Sequence, residues 1–256
     1  MTILGIEAAA KVAGAAVLRD DTLLAEEYTD GTLTHSQTLM PMIHRVLHQA
    51  GKTMDEIDLI TLTSGPGSFT GLRIGAATAK GLALGKAYVD ENGHMAGGIP
   101  ILPLGTLESL CAGAIFAGIE NCLLVGTMDA RRSQVYAAAY DSELHPVIAP
   151  EAMPPAQLAD QLCAIGKDCL FMGDAALLYR DFFAEALGER YHLAPEEIRN
   201  LRAGTSCYLA AKKLGEAAEK GEEAPTVHGW NLAIDYLRKP QAEREREARL
   251  RGEQQA

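Results

Sequence analysis

Aromatic side chains are scarce in this 256-residue sequence, in which phenylalanine, tyrosine and tryptophan together make up 5% of the residues. Apolar residues still reach 48%, because small and aliphatic side chains are abundant, and charged residues make up 22%. This balance is that of an ordinary globular protein long enough to bury a sizeable core. We expect closely packed backbones to replace bulky side chains in parts of that core.

The sequence also lacks an excess of basic residues. It holds 23 lysines and arginines against 34 aspartates and glutamates, which gives a formal net charge of −11. A protein that binds nucleic acid by itself usually presents a basic face, since neutralising phosphates supplies much of the affinity. The composition therefore disfavours direct binding of tRNA or DNA by this chain alone.

Paired cysteines and long apolar runs are missing as well. The five cysteines are odd in number and irregularly spaced: Cys111, Cys122, Cys163, Cys169 and Cys207. This pattern, without a Cys-x-x-Cys pair, is typical of reduced thiols in a cytosolic protein. The apolar N-terminus has no cationic leader and is interrupted by Glu7, and no window reaches the length of a membrane span. We predict a cytoplasmic protein that does not enter a membrane.

Hydrophobic periodicity predicts three strands, a helix, a strand and a second helix at the start of the chain. The predicted strands are 2–6, 12–18, 22–28 and 57–63. Turn-sized gaps separate the first three, which we expect to form an antiparallel meander. The first helix begins at His35 and ends with Gly51 as its C-cap, with Pro41 in its first turn or at a kink. The second helix covers about 70–85.

A related order of elements follows the polar, glycine-rich segment 90–98. The predicted elements are a strand at 99–102, a helix at 106–118, a hairpin of 122–129 and 134–141, a strand at 169–174, and helices at 154–165 and 196–220. Two halves of similar content predict an α/β fold with an internally duplicated architecture, although no residue-level repeat is visible. The charged segment 241–256 is predicted to be a solvated helix or a frayed end.

The stretch SGPGSFTGLRIG, Ser64 to Gly75, is the most unusual in the sequence. It does not match the Walker A spacing, and its glycines run Gly-x-Gly-x-x-x-Gly instead of the dinucleotide pattern Gly-x-Gly-x-x-Gly. Backbone N–H groups in a glycine-rich turn before a helix can nevertheless attract an anion. A weaker nucleotide-binding role therefore stays open.

The same loop has two other candidate roles. A nucleophilic Ser68 or Thr70 is disfavoured, because the surrounding sequence is not Gly-x-Ser-x-Gly and nothing nominates a histidine base. Packing is the third role, since Gly71, Gly75 and Ala79 form one small-residue strip along the helix. Each glycine costs a helix about 0.5–1 kcal/mol against alanine, so their repetition indicates a close approach. The strip can face the protein's own sheet or another protein, and periodicity does not decide which.

The segment GPGSFTGLRIGAATAKGLALG closely resembles the signature of the bacterial tRNA threonylcarbamoyladenosine biosynthesis protein TsaB, also called YeaZ. Further matches are HSQTLMPMI at 35–43, GIPILPLGTLESL at 98–110, DARRSQVYAAAY at 129–140 and YLRKPQAE at 236–243. The likeness is dense over residues 1–140, thin through the second half, and returns near the C-terminus. A match over more than twenty residues is poorly explained by chance.

This resemblance implies an actin-like, sugar-kinase-like fold of two RNase H-like halves. The implied division is an N-terminal domain at 1–98 that carries the partner-binding helices, a C-terminal domain at 99–225, and a tail at 226–256. It also implies a non-catalytic scaffold subunit for threonylcarbamoylation of N6 of adenine 37 in tRNAs that read ANN codons. In the family, the chain dimerises with the metal-containing catalytic paralogue TsaD and joins the ATPase TsaE. A homodimer is a further expectation, and tRNA is expected to bind only through the complex.

The resemblance places the partner surface on the helix that begins at the His-Ser segment and on the helix after the glycine loop. The implied interface residues are His35, Leu39, Met42, Ile43, Val46, Gly71, Leu72, Arg73, Gly75, Ala76, Ala79 and Lys80. On this interpretation the glycine loop shapes a helix for another protein.

Two features depart from the family pattern. Relatives usually end the first strand with Asp-Thr-Ser, which helps to form a phosphate site, whereas this chain has Glu7-Ala8-Ala9 and no hydroxyl. The remaining candidates for a weak nucleotide or anion site are Glu7, Gly65, Gly67, Ser68, Asp129 and Arg131. We expect no tightly bound cofactor, with ATP or ADP only at the interface of the complex. The second departure is segment 88–97, which looks inserted.

Two enzyme classes stand as alternatives to a scaffold. An ATP-dependent kinase or ATPase of the same fold needs phosphate loops with hydroxyls and a magnesium-binding aspartate, which Glu7-Ala8-Ala9 does not supply. A metallopeptidase needs a metal site, and His44 and His48 lack an acidic ligand at suitable spacing. We therefore expect no metal site and no catalytic residue in this chain.

Overall fold

Twelve strands and eight α-helices organise residues 1–29 and 34–237, which are the residues that this computed structural model describes. The strands are β1 Thr2–Glu7, β2 Gly14–Arg19, β3 Thr22–Tyr28, β4 Leu59–Gly65, β5 Ala87–Val89, β6 Met95–Gly97, β7 Ile101–Gly105, β8 Leu123–Arg131, β9 Gln134–Tyr140, β10 Pro146–Met153, β11 Cys169–Met172 and β12 Tyr191–Leu193. The helices are α1 His35–Gln49, α2 Phe69–Leu84, α3 Thr106–Phe116, α4 Pro155–Ile165, α5 Asp174–Leu178, α6 Arg180–Leu187, α7 Glu196–Arg199 and α8 Ala203–Lys220.

Two five-stranded sheets share one topology. The first has the order β3-β2-β1-β4-β7 and the second the order β10-β9-β8-β11-β12. In each sheet three consecutive strands pair antiparallel, and two later strands add in parallel on the other side of the first of them. The repeated order confirms the predicted α/β fold class, a duplicated actin-like and sugar-kinase-like architecture. It also confirms the meander of the first three strands.

Helices form the layers between and outside the two sheets. Helix α8 packs on β1 and β2 of the first sheet, and α3 packs on β8 of the second sheet and on α8. The pair α3 and α8 therefore lies between the sheets, inside the cluster that joins both halves. Helices α1 and α2 cover the outer face of the first sheet, and α4 and α6 cover that of the second.

Alternation along β1 fits this sandwich. Leu4 and Ile6 point into the cluster under α1 and α2, while Ile3 points into the central cluster. All three side chains are buried, because helices cover the sheet on both faces. In the central layer, the buried hydroxyls of Ser109 on α3 and Ser206 on α8 hydrogen-bond at 2.7 Å. Such small side chains let the two helices approach closely, as the shortage of aromatics predicted.

Several local predictions were wrong or incomplete. The helix predicted at 196–220 is two helices, α7 and α8, because Asn200 and Arg202 adopt extended backbone angles. Arg202 there hydrogen-bonds Glu26 of β3 at 2.9 Å, which fixes the start of α8. Pro41 lies beyond the first turn of α1, and that helix continues through it to Gln49. Strands β10 and β12 and helices α5 and α6 were not predicted.

The segment singled out as inserted, 88–97, lies largely in a small antiparallel hairpin of β5 and β6. The hairpin follows α2 and precedes β7. Tyr88 and Val89 are more than 60% exposed. The hairpin thus extends the outer side of the first half without joining the main sheet.

Residues 226–237 form a strap that returns to the first half, and we call them the C-terminal strap. Val227 exchanges two backbone hydrogen bonds with Ile101 of β7, at 2.7 and 2.9 Å. The Asp235 N–H donates to the Ser64 carbonyl at 2.8 Å. Gly65 beside it has φ +141°, and a Cβ there would overlap the Asp235 carbonyl oxygen. The strap therefore pairs with the start of β7, contacts the end of α2 and reaches the end of β4.

The division of the chain at 98/99 and 225/226 stays a prediction. Strand β7, which follows residue 98, completes the first sheet, and the strap packs on that same half. Residues 238–256, which include the whole charged segment 241–256, lie outside the described residues. Among the residues described, no helix combines the length and apolar character that a membrane crossing requires.

Candidate functional site

A cleft of about 480 Å³ opens between the two halves. Its first side is built from the loop after β1 and the N-termini of α1 and α2, including Lys11, His35 and Ser68. Its second side is built from the end of β8 and the start of α5, including Asp129 and Asp174. Ligands of α/β proteins usually bind outside the carboxyl ends of strands, which is where this cleft lies.

The cleft brings together four of the six anion candidates. Gly67, Ser68, Asp129 and Arg131 line it. Gly65 instead packs against the Asp235 carbonyl of the C-terminal strap. Glu7 is 1% exposed and does not reach the cleft. The two halves of the predicted site are therefore adjacent, but the first strand's carboxylate is not part of it.

Internal hydrogen bonds occupy much of the glycine loop. The Ser68 N–H donates to the Ala9 carbonyl at 2.7 Å, and the Gly71 N–H donates to the Ser68 hydroxyl at 3.2 Å. A Cβ on Gly71 would overlap the Ala8 carbonyl oxygen, so only glycine permits the loop after β1 to lie this close. The start of α2 is thus packed against the protein's own backbone.

Glu7 binds a backbone N–H group of the loop after β1. Its carboxylate accepts hydrogen bonds from the Ala9 N–H at 2.7 Å and from the Thr63 hydroxyl at 2.8 Å. Burial raises the pKa of Glu7 to about 7, although the hydrogen bonds from Ala9, Thr63 and Ala8 oppose the rise. A carboxylate of the chain itself therefore takes a backbone donor that a phosphate would need.

Charges on the opposite wall are paired within the wall. The Arg131 guanidinium lies 3.1 Å from the Asp129 carboxylate, whose other oxygen accepts the Arg131 N–H at 2.7 Å. Asp174 accepts the Asp129 N–H at 3.0 Å. Since Asp129 neutralises Arg131 locally and Asp174 adds a further carboxylate to the wall, this wall offers little attraction to a polyphosphate.

Nine of the twelve predicted interface residues are buried in the chain's own core. They are Leu39, Met42, Ile43, Val46, Gly71, Leu72, Gly75, Ala76 and Ala79. The apolar face of α1 packs on β2 and β3, and that of α2 on β4 and β1. The assignment of these nine side chains to a partner surface is therefore corrected, and the strip of Gly71, Gly75 and Ala79 faces the protein's own backbone and sheet.

The solvent-facing sides of α1 and α2 form a different surface, which we call the outer face. Its exposed residues are Ser36, Gln37, Met40, Pro41, His44, Arg45, His48, Gln49, Thr70, Arg73, Ala77 and Gly81. Of the predicted residues, Arg73 belongs to it, while His35 and Lys80 are half-buried at its margins. Sequence reasoning missed Ala77 and Gly81, although they recur at the same four-residue spacing as the buried strip.

Gly81 has no internal packing reason to be glycine. A Cβ at this position would meet no atom within 4 Å among the described residues. Ala77, one turn earlier, is also exposed. Met40 of α1 is 48% exposed. The outer face thus combines a shallow stripe with an adaptable apolar side chain.

The described residues contain no group of three or more histidine, cysteine, aspartate or glutamate side chains placed to hold a metal ion. His44 and His48 are exposed on the outer face. The expectation that this chain has no metal site stays a prediction.

Comparison with known proteins gives a consistent set of relatives. A family model described as "TsaD: tRNA N6-adenosine threonylcarbamoyltransferase" matches residues 29–246. The tRNA threonylcarbamoyladenosine biosynthesis protein TsaB of Bacillus subtilis is 32% identical over 95% of this chain and 96% of its own length. The protein of that name from Escherichia coli is also 32% identical, over 56% of each chain.

Solved structures show the same fold. YeaZ from Pseudomonas aeruginosa superposes with a TM-score of 0.67 and 22% identity, over 92% of this chain and 99% of that one. A protein of that organism described as similar to peptidase YeaZ superposes with a TM-score of 0.70 and 24% identity, over 93% and 99%. At these identities the structures establish the fold and nothing beyond it.

Proposed function

The chain belongs to the TsaB family, and from this premise we propose that it acts in the biosynthesis of tRNA threonylcarbamoyladenosine as a non-catalytic subunit. The proposed reaction is transfer of threonylcarbamoyl to N6 of adenine 37 in tRNAs that read ANN codons. The transferase is the catalytic paralogue, TsaD, and the ATPase TsaE joins the assembly. The chain supplies a folded surface and no reacting group.

One observation carries the non-catalytic part of this proposal. Glu7 binds the Ala9 N–H, and the Ala8 and Ala9 carbonyls face the start of α2. A kinase needs free hydrogen-bond donors for the phosphates and a carboxylate that is available to magnesium. Because the loop is committed to internal contacts, we propose that ATP or ADP binds only at the interface of the complex.

The outer face is the surface that we propose for the partner. Exposed Ala77 and Gly81 allow another backbone to approach α2, and Met40 offers apolar contact. A homodimer would use the same face and would therefore compete with the heterodimer. We also propose a cytoplasmic location, and tRNA binding only through the complex because the chain carries a net charge of −11.

The test is reconstitution of threonylcarbamoyladenosine synthesis with purified TsaD and TsaE from the same genome. We expect product from the full mixture, and none from this chain with substrates alone. Ala77→Leu should prevent both co-purification with TsaD and product formation, while the variant stays folded. Turnover of this chain alone above about 1 s⁻¹, the low end of ordinary enzyme rates, would refute the non-catalytic role. Full product without this chain would refute the subunit role.

A further inference from the structure

Arg73 on the outer face is held in one position by aromatic side chains. Its guanidinium carbon lies 3.8 Å from the centre of the Phe69 ring, one turn earlier on α2. Its Nε donates to the Tyr236 hydroxyl of the C-terminal strap at 3.1 Å. The rings of Phe69 and Tyr236 lie 5.1 Å apart and support each other. An exposed arginine is thereby fixed at little further entropic cost on binding.

The same arginine has no carboxylate partner within the described part of the chain. Its terminal nitrogens, Nη1 and Nη2, also have no hydrogen-bond acceptor there. Five other arginines each lie within 3.5 Å of a carboxylate: Arg19, Arg45, Arg131, Arg180 and Arg202. Arg132, Arg190 and Arg199 also have no ion pair among the described residues, but of the described arginines without one, only Arg73 has an aromatic ring under its guanidinium. Its two free nitrogens form the edge that grips a carboxylate with two parallel hydrogen bonds.

We propose that Arg73, positioned by Phe69 and Tyr236, is an anchor that binds a carboxylate side chain of the partner protein. The inference rests on the proposed function, because it takes the outer face to be the partner surface. Tyr236 is then a positioning residue, and the C-terminal strap is part of the binding surface. An aromatic-supported arginine at a desolvated contact is the kind of residue that dominates interface energetics.

The spacing of the outer face describes the partner further. Arg73, Ala77 and Gly81 lie on one side of α2, and eight helical residues span about 12 Å. A partner helix can approach closely at Ala77 and Gly81, where side chains are small. Its acidic residue must then lie one to two turns from the point of closest approach. The outer face therefore fits a partner helix that packs closely on α2 and carries an acidic side chain.

A protein carboxylate fits this surface better than a nucleic-acid phosphate. A phosphate backbone is bound by several cations along its path. On α2, Arg73 is instead a single exposed cation beside a stripe of small residues, with half-buried Lys80 two turns away. The exposed Arg45 of α1 is paired with Glu27. The chain as a whole repels RNA through its charge of −11. The small stripe, in contrast, suits the close packing of two helices.

The test measures affinity for purified TsaD of the same genome by calorimetry at low and high salt. Arg73→Gln should weaken binding by about 30-fold, the effect of losing a hot-spot residue. Arg73→Lys should recover only part of this, because an ammonium cannot form the paired hydrogen bonds. Tyr236→Phe should weaken binding several-fold when it is the only substitution. Added to Arg73→Gln, it should weaken binding no further. Arg180→Gln, an exposed arginine on α6, is the matched control and should bind normally.

The outcomes separate this inference from the proposed function. If Ala77→Leu abolishes binding and Arg73→Gln does not weaken it, the anchor is refuted and the partner surface stands. If neither variant weakens binding, the outer face itself is the wrong surface. If Arg73→Gln leaves the protein pair intact but lowers retention of tRNA by the assembled pair, the ligand is a phosphate and the carboxylate proposal is overturned. Melting temperatures of all variants must match wild type for these conclusions.

Discussion

Thr63 donates its hydroxyl proton towards both oxygens of the Glu7 carboxylate, at 2.8 and 2.9 Å, and so links the ends of the two central strands β4 and β1. Both side chains are buried, with exposures of 3% and 1%. An ionised carboxylate at this depth is costly even when it is hydrogen-bonded. The arrangement therefore couples the protonation of one side chain to the stability of the first sheet.

The first prediction concerns pH. Burial raises the pKa of Glu7 to about 7 from an ordinary value of 4.5, so the folded chain holds a proton that the unfolded chain has lost. The free energy of unfolding should then fall as pH rises from about 4.5 to about 7, by roughly 3 kcal/mol in total from this group. Urea denaturation at a series of pH values measures it.

Glu7→Gln is the control for this pH dependence. The amide keeps an acceptor for the Ala9 N–H and a donor for Thr63, but it does not titrate. The unfolding free energy of wild type should fall relative to that of the variant between about pH 4.5 and 7, and the difference should stay constant above about pH 7. Parallel profiles for the two proteins would show that Glu7 titrates normally.

A second prediction separates the two faces of α2. Ala79 is 0% exposed, so Ala79→Leu forces three heavy atoms into a filled core and should cost about 1–3 kcal/mol. The melting temperature should fall by roughly 2–10 °C. Ala77→Leu, on the exposed side, should leave the melting temperature unchanged. If Ala79→Leu left the melting temperature unaltered, the buried position of Ala79 would be contradicted.

Neighbouring glutamates on β3 provide a third test. Glu26 accepts from Arg202 at 2.9 Å and from the Gly204 N–H at 2.9 Å, and so joins the start of α8 to the first sheet. Glu26→Ala leaves both donors without a partner and should lower the unfolding free energy by about 2–3 kcal/mol. Glu27→Ala breaks an exposed pair with Arg45 and should cost no more than about 1 kcal/mol. Equal losses of unfolding free energy in the two variants would mean that the hydrogen bonds from Glu26 to α8 add no more stability than an exposed ion pair.

The fourth prediction is about nucleotide. Because Glu7 and α2 occupy the polar groups of the loop after β1, calorimetry with ATP and magnesium should detect no binding tighter than about millimolar. The TsaD and TsaE mixture gives the positive control. Micromolar affinity of the isolated chain for ATP would contradict this prediction and support a kinase or ATPase.

The first half of the fold was predictable because its elements carry simple patterns. Strands β1 to β4 and helices α1 and α2 lie within about two residues of the predicted ranges. Gly51, expected to close α1, has the left-handed φ of +63° that such a position requires. Apolar runs bounded by turn residues identify these elements without knowledge of their neighbours.

Elements at the edges of the second sheet were missed for a physical reason. Strand β10 contains Pro146 and Pro150, which cannot donate to a ladder and therefore mask a strand pattern. The sheet tolerates them because β10 is an edge strand. Strand β12, at the other edge, has three residues and is too short to show alternation.

Nine residues predicted for a partner surface are core residues. They were misassigned because periodicity finds an apolar face without showing what covers it. Leu39 and Ile43 on α1, or Gly75 and Ala79 on α2, have the same spacing whether they meet a sheet or a partner. Only the three-dimensional arrangement shows that the chain's own strands fill both faces. The position of Tyr236 beside Arg73, 163 residues away in sequence, has no local signal at all.

The location of α8 between the sheets has a consequence for how the chain is made. Strands β1, β2 and β4 emerge early from the ribosome, yet the helix that covers their inner face ends at Lys220. Synthesis of the intervening residues takes on the order of 10 s at ordinary translation rates. Throughout that time the inner face of the first sheet is an apolar surface without its cover. Nascent chains that end before α8 should therefore be substrates for chaperones and proteases, while the completed chain should not.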